Sequence, residues 1–164
     1  MATSRGFSIM ELVMVIVIFG IVSAVAAPLA ASGFRAYFTG RDISETDSQA
    51  RVALERMTRE LRGIRAPADL TAASASDISF VDGSGNAIRY CQGAVGGCPG
   101  TAGDLMRNSQ PLAAGISALT FSFLSRGAAA TGAGTAFYVT VGFTATQNAV
   151  AKSYQATVSP RNFP

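Results

Sequence analysis

One carboxylate, two thiols and the lack of any imidazole set the chemistry open to this chain of 164 residues. The carboxylate is Glu11, in RGFSIMELVMVIVIFGIVSAVAAP, at the head of a run from Leu12 to Phe34 that carries no charge. An ionised side chain is costly deep in hydrocarbon and less so near an interface. Glu11 must therefore lie near an edge, reach the headgroups by snorkelling, or meet a cation. The thiols are Cys91 and Cys98, in YCQGAVGGCPG. Six residues separate them, three of them glycine, so the segment can fold back until the sulfurs meet. A disulfide is expected, and closing so short a loop stabilises by about 2 kcal/mol. Zinc would need more ligands than two thiolates, and there is no histidine to add.

Without histidine, neither a Ser-His-Asp nor a Cys-His nucleophile can be assembled. Asp77 and Asp82 border a glycine-rich turn and read as turn formers rather than a catalytic pair. The glycine loops lack the Gly-Lys-Ser/Thr ending of a phosphate cradle. The net charge is +3, and residues 68–164 hold five basic against four acidic side chains, scattered along the chain. That argues against a nucleic-acid surface. The expectation is a protein with no catalytic residues, no metal and no cofactor.

The elements that position these residues follow from periodicity. A helix over the uncharged run is about 34 Å long, enough to cross a hydrocarbon core of about 30 Å. Pro28 removes a backbone donor, so a kink or local unwinding is expected there, and Gly20 and Gly33 soften the same segment. From Arg35 the pattern becomes amphipathic. Ile43, Ala50, Leu54, Met57, Leu61 and Ile64 form one stripe. Opposite charges four apart pair Arg41 with Glu45, Asp47 with Arg51, Arg51 with Glu55, Glu55 with Arg59 and Arg56 with Glu60. Gly63 and Pro67 stop the helix.

The remainder reads as strands. DISFV (77–81) and AIRYC (87–91) flank DGSGN as a hairpin. ISALTFSFL (116–124) alternates, with Leu119, Phe121 and Phe123 toward the core and Ile116 on the other face. In AFYVTVGFT (136–144) Phe137, Val139, Val141 and Phe143 share a face, and SYQATV (153–158) closes a meander. Loops 92–103 and 125–135 are rich in glycine and alanine and are expected to move. The fold class is α+β. A long N-terminal helix, membrane-spanning over 7–34 and amphipathic over 35–66, covers one face of an antiparallel sheet within a globular domain at 67–164.

Residues 1–6 leave the question of a leader. AVAAP at 24–28 could pass for the cleavage site of a secretory signal, but that reading leaves Glu11 unexplained. Gly6-Phe7-Ser8-Ile9-Met10-Glu11-Leu12-Val13 resembles the prepilin signature of type IV pilins and type II secretion pseudopilins, and Pro28 matches a proline common in that family. The resemblance implies a leader peptide at 1–6, cut between Gly6 and Phe7 by prepilin peptidase, and N-methylation of Phe7. It implies that Glu11 pairs with the N-terminal amine of Phe7 on a neighbouring subunit, which sets axial register. The implied partners are other pilin or pseudopilin subunits, an inner-membrane assembly platform and the lipid bilayer. The implied location is the bacterial inner membrane, single-pass with a periplasmic C-terminal domain, and then a filament.

ARVALERMTRELRGIRAP (50–67), ISALTFSF and TVSPRNF are similar to minor pilins of the MshO, PilW and GspJ kind. Ala53-Leu54-Glu55-Arg56-Met57 and Arg161-Asn162-Phe163 fit the MSHA type best, although Glu60 stands where an aspartate is commoner. The resemblance implies a minor MSHA-type pilin that helps to initiate or cap assembly. The alternatives are a minor pseudopilin of a type II secretion system and, lower, a DNA-uptake pilin.

Overall fold

The computed structural model describes residues 8–125, 128–129 and 138–161. The expected cleavage and methylation site at Gly6 and Phe7 lies outside them, as do Phe137, Asn162, Phe163 and most of the 125–135 loop. The chain divides into two compact units, Met1–Arg41 and Asp42–Pro164.

One helix, α1 (Ile9–Arg62), accounts for 54 residues. Ser8 caps it. The Ser8 carbonyl accepts from the amide of Leu12 at 3.1 Å, and Ser8 Oγ accepts from the amide of Met10 at 3.3 Å. The first of these is the helix's own opening bond, and the second matches an amide that the helix start would leave unpaired. Within the first unit the large apolar side chains, from Ile9 through Val22 to Phe34, are exposed. This stretch is long and apolar enough to cross a membrane. Pro28 lies inside α1, whose helical backbone continues past it. Ser32 Oγ donates to the Leu29 carbonyl at 2.8 Å in the following turn.

In the second unit, the inward stripe of α1 is Ala50, Ala53, Met57 and Leu61, and Ile64 extends it just past the helix end. Leu54 packs at its margin. Nine strands follow: β1 (Leu70–Ala73), β2 (Asp77–Val81), β3 (Ala87–Gln92), β4 (Leu105–Arg107), β5 (Gln110–Ala113), β6 (Ile116–Ser125), β7 (Ala128–Ala129), β8 (Tyr138–Gln147) and β9 (Val150–Val158). The α+β class holds, with a long helix against antiparallel strands.

The single meander expected from the sequence is instead two sheets, ordered β1-β2-β3-β4-β5 and β7-β6-β8-β9. Both line one core with the helix: Ile78, Phe80, Ile88, Tyr90 and Leu105 from the first sheet, and Leu119, Phe121, Val139, Val141, Phe143 and Val158 from the second. The sheets are joined by polar bonds as well as by packing. The Phe121 amide donates to the Ala75 carbonyl at 2.8 Å and the Ile116 amide to the Gly103 carbonyl at 2.7 Å.

The β2–β3 hairpin forms where the sequence places it, with Val81 opposite Ala87. Its turn is closed by Asp82, whose Oδ1 accepts from the amides of Ser84 and Asn86 at 2.8 Å. Asp77 is not a turn former. It pairs with Arg89 on the neighbouring strand, with Nε–Oδ2 at 3.0 Å. Ile116 is also corrected: it is buried on the same side as Leu119 and Phe121. The register against β8 shifts between Ser117 and Thr120, and Ala118 takes a φ of 50°. A β-bulge adds one residue and reverses the in/out parity upstream of it, so both Ile116 and Leu119 face the core.

Candidate functional site: the head of α1 and the ties of its second half

Glu11 stands in the first turn of α1, three residues after the capping Ser8. Ser-x-x-Glu is a helix-start signal, and an anion there also meets the positive end of the helix dipole. This local role accompanies any assembly role, and it could have been read from Ser8 and Glu11 directly. Along the first unit the next charged side chain after Glu11 is Arg35. The apolar run therefore offers no internal partner for the carboxylate.

In the second unit, two charge-assisted clusters fasten α1, one to each sheet. Toward the first sheet, Glu60 accepts from Tyr90 OH at 2.6 Å and from Arg107 Nε at 3.0 Å, and its other oxygen takes Arg56 Nε at 3.1 Å. The Glu60 and Arg107 side chains are 18% and 25% exposed, so solvent screens this pair incompletely. Burial works to raise the Glu60 carboxyl, but the bonds from Tyr90, Arg107 and Arg56 outweigh it and hold it below its ordinary value. Burial, and then the bond to Glu60, push the Tyr90 phenol far up.

Toward the second sheet, Asp47 accepts from Lys152, Tyr154 and Arg51. These bonds, led by Lys152, hold the Asp47 carboxyl well below the usual carboxylate range. Burial, and then Asp47, raise the Tyr154 phenol to about 12.

Of the five helix pairs read from spacing, Asp47–Arg51, Glu55–Arg59 and Arg56–Glu60 form. Arg51 and Glu55 do not join each other, because Asp47 and Arg59 have taken them. Glu45 meets Gln49 Nε2 at 3.5 Å, and no Arg41–Glu45 ion pair forms among the described residues. The tertiary partners Tyr90, Arg107, Lys152 and Tyr154 lie 30 to 107 residues away in sequence and left no local signal.

Cys91 and Cys98 are joined, with Cα atoms 5.9 Å apart. The bridge packs with Met106 into a small apolar cluster of its own. The segment it closes is more ordered than its glycines suggest. The Cys98 amide donates to the Val95 carbonyl at 3.0 Å, and the Gly93 amide to the Asp104 carbonyl at 2.8 Å. Gly93 is required there, since a Cβ would stand 2.2 Å from the Thr101 carbonyl oxygen.

Comparisons of the chain with protein families, curated proteins and solved structures return no match. The site must be read from its own chemistry. Among the described residues no group of three or more His, Cys, Asp or Glu side chains could hold a metal. What the site contains is an apolar helix headed by a lone carboxylate and, in the second unit, a domain with two polar ties and one disulfide.

Proposed function

We propose that the chain is a minor type IV pilin of the MSHA kind, a subunit that helps to initiate or cap a pilus. Prepilin peptidase cuts between Gly6 and Phe7 and the new terminus is methylated. The first part of α1 then holds the subunit in the inner membrane with residues 67–164 outside the cytoplasm. The observation that carries this reading is Glu11, a carboxylate at the head of a run with no other charge before Arg35. Apolar packing cannot fix axial position, because lipid tails are as apolar as the helix. A carboxylate beside the free amine of another subunit's Phe7 can, since each neutralises the other in a medium that penalises both alone. The Cys91–Cys98 bridge supports an oxidising compartment for the domain.

Two measurements test this. Mass spectrometry of the protein from peptidase-bearing cells should give a mature chain beginning at methylated Phe7; a chain beginning at Pro28 or later would make it an ordinary secreted protein. Glu11→Gln should leave membrane insertion intact and abolish entry into filaments. Filament entry unaffected by that change would remove the basis of the proposal. Co-purification with pilus components, rather than with a secretion channel, assigns the filament.

A further inference from the structure

The charges of the second unit are unevenly settled. Asp47 and Glu60 are each held by several cations within the chain. At the end of α1, by contrast, Arg59, Arg62 and Arg161 line one open concavity of about 310 Å³ floored by Gly63. The Arg161 amide donates to the Arg62 carbonyl at 3.4 Å, which brings the segment after β9 alongside the helix end. Arg59 is already paired with Glu55 at 2.8 Å. Among the described residues Arg62 and Arg161 have no carboxylate partner, so the groove has cationic charge to spare. Guanidinium forks select carboxylates or phosphates.

A second groove, of about 260 Å³, lies nearer the start of the same unit and is lined by Asp42, Glu45, Thr46, Gln49, Ala114 and Gln147. Its sign is opposite. Among the described residues neither Asp42 nor Glu45 is in an ion pair, and Glu45 meets only the Gln49 amide. From between Asp42 and Glu45 to between Arg59 and Arg62 is a rise of about 26 Å along the helix.

We infer that the Arg62–Arg161 groove receives the Asp42 and Glu45 carboxylates of a second copy of this chain, displaced by about 26 Å along α1. The helical residues of the two grooves lie about 100° apart around α1, so a parallel neighbour must be both raised by that distance and turned to set its acidic groove against the basic one. At equal height no such pairing is made. The contact is heterologous, since one groove of each copy engages the other groove of its neighbour, and with an axial rise it does not close. It deepens the assembly reading above, on which its biological meaning rests. Charge complementarity of this kind sets register and rejects the wrong alignment more than it adds affinity.

The test is disulfide trapping with full-length, uncleaved protein in detergent, whose own cysteines are already bridged. Glu45→Cys chains and Arg62→Cys chains are oxidised mildly, separately and mixed. The mixture should give a linked dimer in clear excess over either chain alone. Raising salt from about 50 mM to about 500 mM should reduce it about fivefold. Arg161→Glu in the second chain should suppress the product, Arg161→Lys should keep it, and Asp42→Arg in the first chain should restore it against Arg161→Glu. Equal trapping in the unmixed samples, no dimer at all, or no rescue by the paired reversal would overturn the inference. Processing at Gly6 plays no part in this experiment. A failed trap beside a Glu11→Gln filament defect would sink the groove pairing and leave the filament reading standing.

Discussion

Glu60 shows how one side chain comes to matter more than its neighbours. Its carboxylate is shared by a helix neighbour, Arg56, and by Tyr90 and Arg107 of the first sheet. Removing its charge leaves Arg107, itself largely shielded, without a counter-ion. Glu60→Gln should therefore destabilise the fold by about 1–3 kcal/mol, read from urea unfolding at neutral pH. The pH dependence follows from the same contacts. The Glu60 carboxyl lies below its ordinary 4.5 in the folded state, so its contribution is complete above that value and is lost as pH falls through the lower folded one. Asp47 acts in the same direction further into acid. Tyr154 is raised from 10.0 to about 12; its contribution is complete below 10.0 and disappears as pH rises through about 12. Unfolding midpoints should stay level across neutral pH and drop at both ends, with the acid drop smaller in the Glu60→Gln variant.

At the level of elements, β6 carries its irregularity at a residue with a side chain. Ala118 adopts a φ of 50° inside the bulge and is exposed. A left-handed backbone is costly for any residue with a Cβ. Ala118→Gly should thus raise stability by about 1 kcal/mol, measured as an increase in urea midpoint, because the relief of strain exceeds the added freedom of the unfolded chain. The same bulge shows where the sequence is readable and where it is not. Ala50, Met57, Leu61 and Ile64 of the helix stripe, the β2–β3 hairpin and the alternation of Val139, Val141 and Phe143 are set by local periodicity and match the structure, whereas Ile43 stays outside the core, Leu54 sits only at its margin and Ala53 takes a buried place that the stripe does not include. Alternation puts Ile116 on the wrong face, because it holds only while the register is unbroken. β4 and β5, three and four residues long, are too short to show a period at all, and Pro111 disguises the second. Their existence depends on β3 offering an edge, which no local pattern reveals. Of the site residues, the thiol pair was legible from its glycine-rich spacing, whereas the second partners of Asp47 and Glu60 arise only when distant strands arrive.

For the molecule as a whole, the buried apolar core begins at Ala50 and lies entirely in the second unit among the described residues. A fragment of residues 42–164 should consequently unfold cooperatively in urea and stay in solution without detergent, as checked by sedimentation. The full chain should need detergent, since its first unit exposes a continuous apolar surface.

That surface contains one polar weakness. Pro28 brings no amide hydrogen to the helix that continues past it, so the carbonyl of Ala24, one turn earlier, is denied its usual donor. In oil such an oxygen stays hungry. Whatever surrounds the rod must answer it at this level, whether a stray water or a hydroxyl from an adjoining helix, and here the rod will bend most cheaply under load.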